Sequence, residues 1–185
     1  MLEGAGLTFE IVPADVDETA IREALTADNE GVDPEDIADV LARAKAETVS
    51  AANPEAIVIG ADQVLACNGM IFEKAKNATE AREALLKLRG HPHQLHSAVV
   101  IAEGGEVTWS HCDTAHMTMR KFSLQFLGEY VARSAPALTS SVGAYQLEGL
   151  GVQLFEKIEG DYFTILGLPL LPLLAELRQR GVIAQ

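Results

Sequence analysis

Apolar positions recur along this chain first at helical and then at strand spacing, and the changes between the two lay out its elements. Thr8–Val12 alternates as a short strand, and Pro13–Thr19 is an acidic loop holding Asp15, Asp17 and Glu18. Ala20–Gly31 has no strong period and is predicted to be a surface connection. Asp33 can cap a helix that has Pro34 at its first position, with Glu35 and Asp36 favouring the positive end of its dipole. Ile37, Val40, Leu41, Ala44 and Thr48 keep the helical spacing, and Asn53-Pro54 ends it. The apolar run Ala56–Gly60 then reads as a strand that closes on Gly60-Ala-Asp62-Gln63.

A second apolar run, Val64–Cys67, meets the hairpin dipeptide Asn68-Gly69 and returns through Met70–Phe72. Asn77 with Glu80 forms a capping pair for a helix to about Leu88, whose apolar face is Ala81, Leu85 and Leu88. Gln94–Ala102 is apolar enough for a central strand, and Gly104-Gly105 turns the chain. Val107–His111 and Thr114–Met119 read as two further antiparallel strands. Ser123 caps a helix through Arg133, and Val142–Gly151 is a long glycine-rich loop. Val152–Glu156 is a strand, Phe163–Leu166 a short buried one, and Leu168–Arg180 the closing helix, stopped by Gly181. Helices alternating with strands point to a layered α/β fold.

Composition narrows the function classes. At 185 residues, 48% of them hydrophobic and 22% charged, the chain can bury a core as a single domain. The stretch Ile165–Leu174 is too short and too broken by Gly167, Pro169 and Pro172 to span a membrane, and the start shows no export signal. A formal net charge of −13 argues against a nucleic-acid polymer as partner. Cys67 and Cys112 form no CxxC and read as reduced cytoplasmic thiols.

Asp62 is expected just beyond the carboxyl end of a strand, where open α/β sheets bind ligands. There a carboxylate can hold a divalent cation or take a proton from water, although a solvated loop aspartate would look the same. Lys45 emerges beside the apolar face of its helix, as a functional or a snorkelling lysine would. Gly143–Gly149 sets Tyr145 and polar groups between glycines, which suits a backbone cradle for a base or phosphate as well as an ordinary turn. His91, His93 and His96, and His111-Cys112 with His116, lack zinc-ligand geometry, since strand alternation splits the latter group between faces. Ser140-Ser141 lacks a nucleophile elbow.

Taken in order, Asp15-Val-Asp-Glu18, Arg43-Ala-Lys-Ala46, Gly60-Ala-Asp-Gln63, Lys74 and Leu88-Arg-Gly90 with His93 form a recognisable series. It continues through Gly143-Ala-Tyr145, Leu147-Glu-Gly149, Gly160-Asp-Tyr162 and Gly167-Leu-Pro169. The chain resembles, over practically its whole length, the Maf family of nucleoside triphosphate pyrophosphatases, also called septum-formation-inhibitor-like proteins. The resemblance implies an elongated mixed sheet with flanking helices, related to the inosine-triphosphate pyrophosphatases. It implies a single domain over residues 1–185 with two lobes around a central cleft, a homodimer, and metal-dependent (Mg²⁺ or Mn²⁺) hydrolysis of a nucleoside triphosphate to the monophosphate and pyrophosphate. Asp62 would be the proton acceptor and, with Glu18, a metal ligand, while Lys45 and Lys74 would neutralise phosphate charge. Gln63, Tyr145, Glu148 and Gly149 would bind substrate, and Asp-Gln with Glu-Gly at these places resembles the branch acting on 7-methyl-GTP.

Two departures accompany the match. The family's opening strand and Ser-x-Ser-Pro-x-Arg loop are absent, and Met1–Gly6 aligns within the helix that follows them. The expectation is therefore an N-terminally shortened member, with an impaired nucleotide-binding or regulatory module as the alternative to an enzyme. The other is Phe72-Glu-Lys-Ala75 where the family reads Leu-Gly-Lys-Pro, which changes the turn that carries Lys74.

Overall fold

Long apolar runs become long strands here. The computed structural model describes residues 1–27 and 31–185, and it contains β1 (Val58–Cys67), β2 (Met70–Phe72), β3 (Pro92–Glu103), β4 (Glu106–Met119) and β5 (Phe155–Glu159). They form one sheet in the order β2-β1-β3-β4-β5, with β1–β2 and β4–β5 pairing antiparallel. Asn68 and Gly69 both have positive φ (51° and 76°), the type I′ geometry that matches strand twist, and they join β1 to β2. Gly104-Gly105, also at positive φ, joins β3 to β4. The helices are α1 (Glu18–Ala27), α2 (Pro34–Ala52), α3 (Ala78–Leu88), α4 (Leu124–Arg133), α5 (Ala135–Ser140), α6 (Tyr162–Ile165) and α7 (Leu170–Gln179). Among the described residues, no helix is long and apolar enough to cross a membrane.

The chain divides into two compact units. One comprises Met1–Gln63, Ser97–Asp113 and Gly167–Gln185; the other comprises Val64–His96 and Thr114–Leu166. In the first, Asp33 accepts a hydrogen bond from Glu35 N at 3.0 Å, satisfying a donor at the start of α2. Ile37, Ala38, Leu41, Ala42 and Ala46 make the buried face of that helix, and Leu170, Leu173 and Leu177 that of α7. Arg180 then ties the end of α7 to Glu103 and Thr108. In the second unit Asn77 accepts from both Thr79 N and Glu80 N at 3.0 Å, and Ser123 from Phe126 N at 3.1 Å. Its core gathers Leu65, Leu85, Leu95, Met117, Phe122 and Leu127, all buried.

The structure corrects several expected elements. Thr8–Val12 joins no strand, and Phe9, Ile11 and Val12 are exposed, Ile11 by 82%. Glu18 opens a helix rather than closing a loop, and that helix fills most of the expected connection Ala20–Gly31; residues 28–30 lie outside the described residues. Val107–His111 and Thr114–Met119 belong to one strand, since Cys112-Asp113 supplies neither a glycine nor a proline to break it. Residues 150–154 form a 3-10 turn, which moves β5 three residues past the expected Val152. Phe163–Leu166 is helical rather than extended, because Asp161 caps Phe163 N and Thr164 N.

Candidate active site

β1 runs straight through Gly60-Ala-Asp-Gln63, so Asp62 sits inside a strand and not at its tip. Val64–Cys67 beyond it are all buried, which keeps the strand paired instead of letting it open into a loop. Alternation puts Gly60 and Asp62 on the same face of β1. A Cβ at Gly60 would lie 2.6 Å from Ala42 O and 2.8 Å from Ala46 Cβ, so this glycine and the two alanines let α2 pack directly on the strand. Lys45, one residue before Ala46, reaches Asp62 from that close contact. Its Nζ donates to Asp62 Oδ1 at 2.6 Å and stands 2.8 Å from Glu18 Oε1.

The helix α1 completes the group. Arg22, one turn after Glu18, stands 3.9 Å from Glu18 Oε2 and 3.5 Å from Asp62 Oδ2. Two carboxylates and two cations thus alternate in a closed ring, each carboxylate facing the lysine with one oxygen and the arginine with the other. The Asp62 side chain is only 7% exposed, and its Oδ2 has no hydrogen-bond partner among the described residues. Burial pushes the Asp62 carboxyl above its usual range, and the hydrogen bond and charge of Lys45, with the charge of Arg22, pull it back only in part. Burial also works against the Lys45 charge, but Asp62 and Glu18 outweigh it and hold the ammonium above its usual value. The result is a carboxyl with raised proton affinity beside a lysine that stays charged, a pairing suited to moving a proton next to an anion. Lys45 also lines a groove of about 430 Å³ between residues 8–14 and the start of β1, shared with Phe9, Val12, Val49 and Gly60.

The other residues singled out in the sequence divide between the two units. Gln63 follows Asp62 in the first unit and donates from Nε2 to Ser97 Oγ at 2.9 Å. The second unit holds Lys74, Tyr145, Glu148 and Gly149. Lys74 is exposed, bridged to Val142 through the backbone, and lines a shallow cavity of about 320 Å³ with Lys76, Glu80 and Lys87. Tyr145 is 4% exposed, its hydroxyl is 2.8 Å from His93 Nε2, and its ring meets Phe155 edge-on. Glu148 and Gly149 are exposed at the far end of the same loop. Gly143 and Ala144 both have positive φ, and Tyr130 donates to Ala144 O at 3.1 Å, so the start of this loop is pinned in an unusual conformation. Arg22 is the residue that sequence reasoning missed. Its one signal is its place four residues after Glu18, the spacing of an ion pair on a helix.

The Maf-like protein family model matches residues 1–180 of the chain. A 7-methyl-GTP pyrophosphatase of Mesorhizobium japonicum is 54% identical over 183 residues, covering 99% of this chain and 91% of the relative. Another protein of that name from Brucella abortus is 52% identical over the same shares. A nucleoside triphosphate pyrophosphatase of Granulibacter bethesdensis is 49% identical over 179 residues, covering 97% of the chain and 90% of the relative. With its model matched over nearly every residue and relatives at half identity or above, the chain belongs to the Maf-like protein family.

Proposed function

We propose that this chain is a nucleoside triphosphate pyrophosphatase that splits the α–β phosphate bond and acts on 7-methyl-GTP. The observation that carries the reading is the ring of Asp62, Lys45, Glu18 and Arg22, a proton acceptor set among cations in a family whose relatives bear pyrophosphatase names. Asp62 takes a proton from the attacking water. The water oxygen bonds to phosphorus as the bridging oxygen leaves with pyrophosphate, and Lys45 offsets the charge that builds on that leaving group. Lys74 contributes a further cation for the phosphates.

Asp62 and Glu18 offer oxygen donors only, the kind that Mg²⁺ and Mn²⁺ accept, and Asp62 Oδ2, which accepts no hydrogen bond among the described residues, is a buried acceptor that a cation would satisfy. When bound there, a divalent cation supplies charge neutralisation for the triphosphate. Asp62 and Glu18 would hold it.

Substrate choice rests on the exposed Glu148 and on Gln63. A guanine edge presents N–H donors, and methylation at N7 makes the base cationic, so a carboxylate both accepts from it and attracts it. Tyr145 supports this reading indirectly, by anchoring the loop that carries Glu148 and Gly149. A homodimer and a cytoplasmic setting belong to the same proposal. The test is pyrophosphate release from 7-methyl-GTP, GTP, UTP and dTTP with Mg²⁺ or Mn²⁺. Fastest turnover of 7-methyl-GTP is expected; faster turnover of UTP or dTTP would overturn the substrate, and no release from any nucleotide would overturn the activity.

A further inference from the structure

Arg22 holds its place in the ring more loosely than Lys45 does. The lysine makes contacts of 2.6 and 2.8 Å, whereas the arginine stands 3.5 Å from Asp62 and 3.9 Å from Glu18, held by charge and not by hydrogen bonds. The helix that carries it, α1, has no buried residue, so core packing does not fix the guanidinium where it stands. Beside it the buried Asp62 Oδ2 has no hydrogen-bond partner among the described residues, although a guanidinium with several donors is close by. Such a buried acceptor is costly unless something else fills the place, and such an arginine is cheap to release.

The charges of the ring cancel. A divalent cation taken by the two carboxylates would therefore leave two positive side chains without counter-ions, next to a polyphosphate that needs them. Guanidinium matches phosphate oxygens in a two-pronged way that an ammonium cannot. We propose that Arg22 is a phosphate-binding residue of this site, parked between Asp62 and Glu18 in the free protein and turned onto the nucleotide's polyphosphate when a divalent cation engages those carboxylates. The inference rests on the pyrophosphatase reading of the ring and adds to it a ligand contact and an exchange of partners.

Inorganic pyrophosphate is the probe, titrated calorimetrically into wild type, Arg22→Gln and Arg22→Lys with Mn²⁺ present, alongside a titration of Mn²⁺ alone. Arg22→Gln is expected to weaken pyrophosphate binding by about ten- to a hundred-fold while leaving Mn²⁺ binding as tight or tighter, because a competing cation is gone. Arg22→Lys keeps the charge but not the fork and should recover part of the loss; it also serves if the glutamine variant fails to fold. Pyrophosphate affinity equal to wild type in the variants would overturn the inference. So would Mn²⁺ binding that weakens in step with pyrophosphate, because Arg22 would then only prop the carboxylates. Nucleotide turnover by the wild type separates the two claims. Turnover with undiminished pyrophosphate binding in Arg22→Gln refutes the role of Arg22 alone, whereas no turnover by wild type refutes the reading beneath it.

Discussion

His93 is an imidazole kept neutral by its surroundings. Burial lowers its pKa to about 4, against a smaller opposing pull from the His91 backbone, and its Nε2 shares a hydrogen bond with Tyr145. The unfolded chain has the ordinary value of 6.5. Above 6.5 both states are neutral and this residue gives no pH dependence. Between 6.5 and about 4 the unfolded state takes up a proton that the folded state refuses, so stability falls as pH falls, by about 1.4 kcal/mol per unit. Urea denaturation at about pH 7 and about pH 5 should therefore show a loss of roughly 2 kcal/mol that is absent in His93→Gln. Equal losses in both proteins would mean that His93 titrates normally. Single residues were legible in the sequence to different degrees. Asp62 and Lys45 stand out because a carboxylate closes an apolar run and a lysine emerges beside an apolar helix face. Arg22 does not, because its one signal, the four-residue spacing from Glu18, is that of an ordinary ion pair on a helix surface.

At the scale of elements, the contact of β1 with α2 decides whether Lys45 reaches Asp62. Gly60→Ala would force a methyl to within 2.6 Å of a backbone oxygen and 2.8 Å of another methyl, neither of which is a flexible chain end. The strand and helix must part, at a cost of about 1–3 kcal/mol, and the 2.6 Å Lys45–Asp62 hydrogen bond lengthens with them. Urea unfolding should report the loss, together with a fall in turnover; a variant as stable and active as wild type would show that the packing has slack. Three helix starts were legible, at Asp33, Asn77 and Ser123, each of which caps as expected, whereas those at Glu18 and after Asp161 were not. Strand ends were less legible. Burial alternates through Asp62 but not through Cys112-Asp113, yet both strands run on, because pairing with neighbouring strands, invisible in a local window, decides where a strand stops. Thr8–Val12 shows the converse, an alternating pattern that joins no ladder.

For the whole molecule, a charge of −13 and a polyanionic substrate are compatible only through local order. The ring sets Lys45 and Arg22 against two carboxylates so that its charges cancel, and in the other unit Lys74, Lys76 and Lys87 share one cavity with Glu73, Glu80 and Glu83, so both places are locally neutral in an acidic chain. Collinear short motifs made the family legible from the sequence because each motif reports a local need and their order reports the fold. Partner geometry within the ring was not legible, since it depends on α1 and α2 meeting the same strand face. Asp62→Asn tests the account most directly. The amide keeps the size of the side chain and Lys45 keeps Glu18 as a partner, so circular dichroism should be that of wild type. Pyrophosphate release from 7-methyl-GTP should fall by at least about a hundredfold, the share that a positioned general base supplies. Release at the wild-type rate from the folded variant would contradict the account.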